Sequence, residues 1–168
     1  MDSFANALAL TPFSIWIQTT LWVVPWMQIV HIVAIALLLS SVFMIDMRIL
    51  NLTGRNQTMT ETARRFIPWV WIAFVVLLVS GGILVIGEPV RSLLNFFFWT
   101  KMGLLAVALI STGFFQVTLR SHPAIWEASH GRRTLVRVLA VAALLVWLAI
   151  IFAGRFIAYA DNIFPPVY

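Results

Sequence analysis

Residues 25–46 read PWMQIVHIVAIALLLSSVFMID and set the structural class of this 168-residue chain. The run is as long as the stretch of about 20 apolar residues that an α-helix needs to cross the ~30 Å hydrocarbon core of a bilayer. It contains His31, the only histidine in any apolar run of the sequence. Gln28 precedes His31 by three residues, so a helix places both side chains on one face. We therefore interpret the stretch as a membrane-spanning helix with a polar position inside it.

The composition is that of a membrane protein. Hydrophobic residues make up 62% of the chain and charged residues only 10%, whereas soluble domains have about 25% charged residues. The 8 Trp and 13 Phe residues suit a lipid-facing surface with interfacial anchors. There is no cysteine, which excludes disulfides and thiolate chemistry. The net charge of +5 does not indicate nucleic acid as a partner, because most basic residues lie in two short loops between apolar runs.

The chain divides into four apolar runs within a single transmembrane domain, residues 1–168. The predicted spans cover residues 21–45, 66–86, 95–117 and 134–159. Residues 1–20 are mildly apolar and predict either an interfacial segment lying on the membrane or a loosely ordered tail. Four helices of this length with short connections predict an all-α integral membrane four-helix up-down bundle.

The basic residues predict the orientation of this bundle. The first and third loops with their flanks hold Arg48, Arg55, Arg64, Arg65, Arg120, Arg132, Arg133 and Arg137, and the second loop holds only Arg91. Cytoplasmic loops carry an excess of Lys and Arg, so loops one and three are predicted to be cytoplasmic. Both termini then lie outside (N-out/C-out), in a multi-pass protein of the bacterial inner (plasma) membrane.

Polar groups are concentrated in the predicted outer half of the bundle. His31 lies about 15 Å deep by helix rise, and Lys101 and Arg155 lie within the outer turns of the third and fourth spans. Glu88 ends the second span on that side, while Asp46 is the sole candidate in the inner half. Ionisable residues in a span are costly and indicate function by default. Simpler interpretations are that Lys101 and Arg155 reach the headgroups and that His31 makes a structural hydrogen bond.

These groups together suit a b-type haem. His31 is the candidate iron ligand, and Lys101 and Arg155 are candidate counter-charges for the propionates. Gln28 is the candidate partner that orients the pocket. The sequence offers no second histidine inside the membrane, so the sixth ligand is open: a Met, Lys101, a second subunit or nothing.

Other functions fit the same residues. A copper pathway would use His31 with Met27, Met44 or Met102, although methionine in a membrane core is more often a space filler. Lys101 and Arg155 could instead line a site for a small anion or another solute. The chain could also be an accessory subunit of a larger membrane complex, or a homo-oligomer, without chemistry of its own. The sequence assigns no catalytic residue and leaves enzyme activity undecided.

The run QIVHIVAIALLLSSVFMIDMRILNLTG, residues 28–54, resembles the opening of a family of uncharacterised bacterial four-helix integral membrane proteins. FIPWVWIAFVVLLVSGGIL, NFFFWTKMGLLAVALISTGFF and AGRFIAY look like later segments of that family. The resemblance covers most of residues 20–160. It implies a four-helix membrane fold and no assigned activity.

The pattern is more distantly similar to CopD-like copper-resistance domains and to HemJ-type protoporphyrinogen oxidase. Both place a histidine in the first helix, and the HemJ type places a lysine early in the third. The similarity implies His31 and Lys101 as site residues, with haem b and porphyrin chemistry. Relatives carry a histidine near the end of the third helix, where this chain has Gln116, which speaks against a two-histidine haem across helices one and three.

Overall fold

The computed structural model describes residues 2–52, 56–121, 130–157 and 159. This part of the chain forms helices and contains no strand. In chain order the helices are α1 (Asp2–Ala9), α2 (Pro12–Thr19), α3 (Val23–Ile49), α4 (Met59–Gly87), α5 (Pro89–Leu93), α6 (Phe96–Ser121) and α7 (His130–Ile157). The predicted all-α class is confirmed.

Four helices are long and apolar enough to cross a membrane. They are α3, α4, α6 and the Arg137–Ile157 part of α7. Large apolar side chains cover their outer surfaces, including Ile72, Ile110 and Phe152. Such a surface is stable against lipid but not against water. The four helices form the predicted up-down bundle of an integral membrane protein.

Specific residues begin and end these helices. Thr58 caps α4 in a capping box, in which its Oγ1 accepts from the Glu61 backbone N–H and the Glu61 carboxylate accepts from the Thr58 N–H. Asn95 performs a similar function for α6, because its Oδ1 accepts from the Phe97 N–H at 2.9 Å. α3 ends at Ile49, and Asn51, two residues later, has a φ of 59°, in the left-handed region that asparagine tolerates.

The core lies at the middle of the bundle, where all four long helices meet. It consists of Leu38, Val42, Val70, Ala73, Ala108, Trp147 and Ile150. A second apolar cluster joins the end of α3, the start of α4 and the end of α6. It consists of Ile45, Met59, Ala63, Ile67 and Leu119.

Contacts between the long helices are uneven. α3 packs along most of α4, and α6 packs along α7. α3 also contacts α7, whereas α4 and α6 touch at few points. One of those points is a hydrogen bond of 3.0 Å that Trp71 Nε1 donates to Gln116 Oε1. The bundle is therefore two tight helix pairs held together mainly through α3 and α7.

The two ends of the bundle differ. We call one end the capped end, because the short helices cover it. There α1 packs on the short helix α5, and α2 packs on α4. Ser14 Oγ donates to the Ile86 carbonyl at 2.6 Å, and Ile17 is buried against Gly87. At the basic end, α3 and α6 finish and α4 and α7 begin, with arginines in the flanking turns. The capped end corresponds to the predicted outer side.

Several predicted boundaries need correction. The first span extends four residues past its predicted end, so Asp46 and Arg48 lie inside α3. The second helix begins at Met59, before the predicted span of residues 66–86, because the Thr58 capping box starts it there. The second loop contains α5, and residues 1–20 contain two helices rather than one segment or a tail. The predicted fourth span ends at Tyr159, but α7 ends at Ile157.

Candidate functional site

His31 is joined to Ser80 across the α3–α4 interface. The distance from His31 Nδ1 to Ser80 Oγ is 2.8 Å. Ser80 is buried on α4, and His31 is half-buried on α3. Both helices contribute small residues here, so the backbones approach closely enough for a short polar contact.

The hydroxyl of Ser80 fixes the tautomer of the imidazole. Ser80 Oγ lies 2.7 Å from the Val76 carbonyl, one turn earlier in α4. A carbonyl only accepts, so the single hydroxyl hydrogen of Ser80 is used in that bond. The Ser80 oxygen then accepts from His31, which places the proton on Nδ1. His31 Nε2 therefore carries a lone pair, and it makes no hydrogen bond with any residue that the structure describes.

Gly81 makes the space that the imidazole occupies. A Cβ atom at position 81 would lie 3.2 Å from His31 Cε1 and 3.8 Å from Nδ1. The first distance is tighter than ordinary van der Waals contact, so the ring would have to shift. Ser80 and Gly81 together define both the position and the protonation of His31.

Lys101 occupies a similar cleft between α6 and α7. A Cβ atom at Gly154 would lie 3.6 Å from Lys101 Nζ and 3.7 Å from its Cδ and Cε atoms. The side chain is half-buried and lies along the Gly154 backbone. Within the described residues, no acidic side chain forms an ion pair with this ammonium group.

The His31 and Lys101 clefts lie at neighbouring depths. His31 follows Val23, the start of α3, by eight residues, or about 12 Å of helix rise. Lys101 follows Phe96, the start of α6, by five residues, or about 8 Å. The two main predicted residues therefore lie at similar depths near the same end of the bundle.

Neither Gln28 nor Arg155 makes a hydrogen bond with His31 or Lys101. Gln28 is exposed on α3 and makes no hydrogen bond with the described residues, so Ser80 holds the imidazole instead. Arg155 is exposed near the end of α7. Its Nη2 donates to Tyr159 Oη at 2.8 Å, and its guanidinium lies 4.8 Å from the centre of the Tyr159 ring. The roles predicted for Gln28 and Arg155 stay predictions.

Gln116 lies at a different level from His31. It is twenty residues past Phe96, about 30 Å along α6, against about 12 Å for His31 along α3. The two positions are therefore separated by about 18 Å along the bundle axis. A side chain at position 116 does not face His31 across one porphyrin, whatever its chemistry.

Asp46 is the polar residue of the opposite half. It is 5% exposed, in the last turns of α3, and its Oδ2 has no hydrogen-bond partner among the described residues. Arg48, the nearest arginine in sequence, is occupied: its Nε donates to the Gln57 carbonyl, and its Nη1 donates to Asn51 Oδ1. Within the described part of the chain, Asp46 is thus a buried carboxyl whose Oδ2 lacks a partner, fifteen residues or about 22 Å past His31 along α3.

Neither Ser80 nor Gly81 was among the site residues predicted from the sequence. A serine next to a glycine, opposite a membrane histidine in an antiparallel hairpin, was the available signal. To pair this serine with His31 from the sequence, one must know how α3 and α4 are aligned, and apolar periodicity does not give that alignment. Of the other histidines, His122 lies outside the described residues, and His130 begins α7 rather than lying in the loop.

Comparison with known proteins identifies the family. The profile of DUF6644, a family of unknown function, matches residues 9–160. The chain belongs to the DUF6644 family. No curated protein and no solved structure matches it. The expected membership of an uncharacterised family is confirmed, whereas the more distant similarity to CopD-like and HemJ-type proteins stays a prediction. The described residues of this DUF6644 protein contain no group of three or more His, Cys, Asp or Glu that could hold a metal ion by themselves.

Proposed function

We propose that this DUF6644 protein binds haem b through Nε2 of His31 and takes part in membrane redox chemistry. The observation that carries the proposal is the His31–Ser80 hydrogen bond. Histidines that ligate a metal almost always donate their other ring N–H to a fixed acceptor, which sets the tautomer and the ring orientation. His31 has that acceptor at 2.8 Å and leaves Nε2 without a partner in the described structure.

Lys101 supports the same proposal. Haem carries two propionates, which require cations or hydrogen-bond donors where they meet the membrane surface. Lys101 holds an ammonium group in a cleft beside Gly154, about 8 Å from the start of α6. Arg155 would add a second positive charge at the same end of the bundle. Gln28, exposed one turn before His31, would contact the edge of the ligand rather than orient the imidazole.

The residues fit one axial ligand and not two. The described spans hold a single histidine, and Gln116 lies about 18 Å away from it along the axis. The proposal is therefore a haem that His31 alone among the histidines of the described spans would hold. A haem in this environment would supply one-electron chemistry, while Ser80 and Lys101 hold its ligand and its charge.

Titration with hemin tests this proposal. The purified protein is expected to bind one equivalent with a shifted Soret band. His31→Ala should abolish the shifted band, and Lys101→Met should weaken binding without changing its position. Ser111→Ala, at an exposed polar residue of α6 outside the site, serves as the control and should bind hemin like the wild type. Equal binding by the wild type and His31→Ala would show that hemin only partitions into detergent, and would overturn the proposal.

Copper is the second candidate, because Met27 is one helical turn before His31. The spacing of four residues places the thioether and the imidazole on one face of α3, within reach of one Cu(I) ion. Met102, next to Lys101, is a further soft donor. A copper protein would be colourless in the haem region, and Met27→Leu would lower its metal content. Under the haem proposal Met27→Leu has no effect on hemin binding.

The cellular setting is proposed on the same terms. The arginines support placing the basic end of the bundle on the cytoplasmic side of a bacterial inner membrane, with both termini outside. A distant similarity to HemJ-type and CopD-like proteins, which stays a prediction, would agree with a haem or metal ligand. A homo-oligomer or a larger complex could supply a further residue to the site.

A further inference from the structure

A groove runs along the lipid-facing side of α7. It has a volume of about 340 Å³ and is lined by Arg137, Val138, Val141, Ala142 and Leu145. All five residues are exposed, although four of them are apolar or small. The groove belongs neither to the His31 cleft nor to the Lys101 cleft.

The sequence of α7 explains the groove. Positions 138, 141, 142 and 145 recur at spacings of three and four residues, so they form one stripe of the helix. The opposite stripe contains the buried Ala140 and Trp147, which face the bundle. Ala142 lies between larger neighbours in the exposed stripe and leaves a furrow. From Arg137 to Leu145 the groove spans eight residues, about 12 Å, against the ~15 Å hydrocarbon depth of one leaflet.

Arg137 gives the groove a charged end. It is the first residue of the apolar part of α7, at the basic end of the bundle. Its guanidinium makes no ion pair or hydrogen bond with the described residues. Guanidinium groups bind phosphate through two parallel hydrogen bonds, and they are preferred at such sites. A guanidinium at the end of an apolar furrow suits a ligand that has an anionic head and an apolar chain of similar length.

We propose that this groove binds an anionic phospholipid, with the phosphate on Arg137 and one acyl chain along Val138, Val141 and Leu145. A second copy of the chain is a poorer occupant. Two copies related by an axis along the membrane normal would bring their Arg137 residues together at the same depth. Like charges at close range in a region of low dielectric disfavour that contact.

Lipid retention in native mass spectrometry tests the proposal. The protein is reconstituted in nanodiscs of phosphatidylcholine alone or mixed with phosphatidylglycerol, released, and weighed with its bound lipids. Wild type is expected to retain phosphatidylglycerol in preference to phosphatidylcholine. Arg137→Gln should reduce that preference about fivefold, the effect of one interfacial positive charge. Arg120→Gln, an exposed arginine at the same end on α6, is the matched control and should retain the preference.

Groove-filling variants give an independent readout. Leu145→Trp should expel the retained lipid with Arg137 still in place, while Leu139→Trp, on the exposed surface of α7 outside this stripe, should not. Arg137→Lys keeps the charge and should keep part of the preference. Equal losses in Arg137→Gln and Arg120→Gln would indicate diffuse attraction and overturn the proposal. A dimer peak that disappears in Leu145→Trp would overturn it in favour of a second copy.

Discussion

The imidazole of His31 and the hydroxyl of Ser80 form a hydrogen bond of 2.8 Å between α3 and α4. Ser80 gives its own hydrogen to the Val76 carbonyl, so it can only accept from His31. The consequence is a membrane histidine with a defined tautomer and a free Nε2.

Removal of the Ser80 hydroxyl should weaken ligand binding without removing the ligand. We expect Ser80→Ala to lower hemin affinity about tenfold or more, since partners that orient a ligating histidine contribute 10–100-fold. Ser111→Ala is the matched control, because Ser111 makes the same kind of intrahelical bond, to Val107, on an exposed face. The measurement is a hemin titration of both variants. Equal affinities would show that Ser80 does not act through His31.

A side chain at position 81 should displace the imidazole. A Cβ there would lie 3.2 Å from His31 Cε1, whereas one at Gly82 would meet nothing within 4 Å. We therefore expect Gly81→Leu to lower the thermal midpoint and abolish hemin binding, and Gly82→Leu to retain both. Thermal unfolding in detergent and the Soret band measure the two effects. If Gly81→Leu behaves like Gly82→Leu, the close packing of Gly81 against His31 is wrong.

The contact between Gly87 and Ile17 should hold α2 on the bundle. A Cβ at position 87 would lie 2.9 Å from Ile17 Cγ2, a distance that real Cβ atoms do not show. Gly87→Ala should therefore displace α2 and speed hydrogen exchange of its amides. Gly113→Ala has open space and should leave exchange in α2 unchanged. In an Ile17→Ala background, Gly87→Ala should have a much smaller effect, because the two changes share one contact.

The buried carboxyl of Asp46 is expected to lower the thermal stability of the fold. A buried carboxyl with an unpartnered oxygen loses hydration without gaining a hydrogen bond. Asp46→Asn removes the charge and keeps the shape, so its thermal midpoint should equal or exceed that of the wild type. Glu61→Gln is the contrasting change, since Glu61 belongs to the α4 capping box, and it should lower the midpoint slightly. A clear loss of stability in Asp46→Asn would instead reveal a stabilising partner of the carboxylate.

Much of the fold was predictable because a bilayer restricts the choices. A run such as residues 25–46 has few stable conformations in lipid except a helix, and short loops between such runs leave little besides an up-down bundle. The helix ends were less predictable from hydropathy. α4 begins seven residues before the predicted membrane span at residue 66. The Thr58–Glu61 capping box, which is readable in the sequence, determines that start.

The candidate site was only half predictable. His31 and Lys101 stand out because charged or ionisable groups in a span are costly. Ser80 does not stand out, since a membrane serine usually bonds its own helix and needs no partner. Its role depends on the register of α3 against α4, which side-chain packing determines. Gln116 was read from the sequence as evidence against a two-histidine haem, and its position about 18 Å from His31 along the axis agrees with that interpretation.

The visible spectrum of the protein purified from its membrane, air-oxidised and then reduced with dithionite, tests the central claim most directly. The account predicts a Soret band that moves and sharpens on reduction, and its loss in His31→Ala with the protein still folded by circular dichroism. Ser111→Ala should give the wild-type spectrum. A preparation that stays colourless after haem is supplied during expression, or a haem spectrum that survives in His31→Ala, would contradict the assignment of His31 as the ligand.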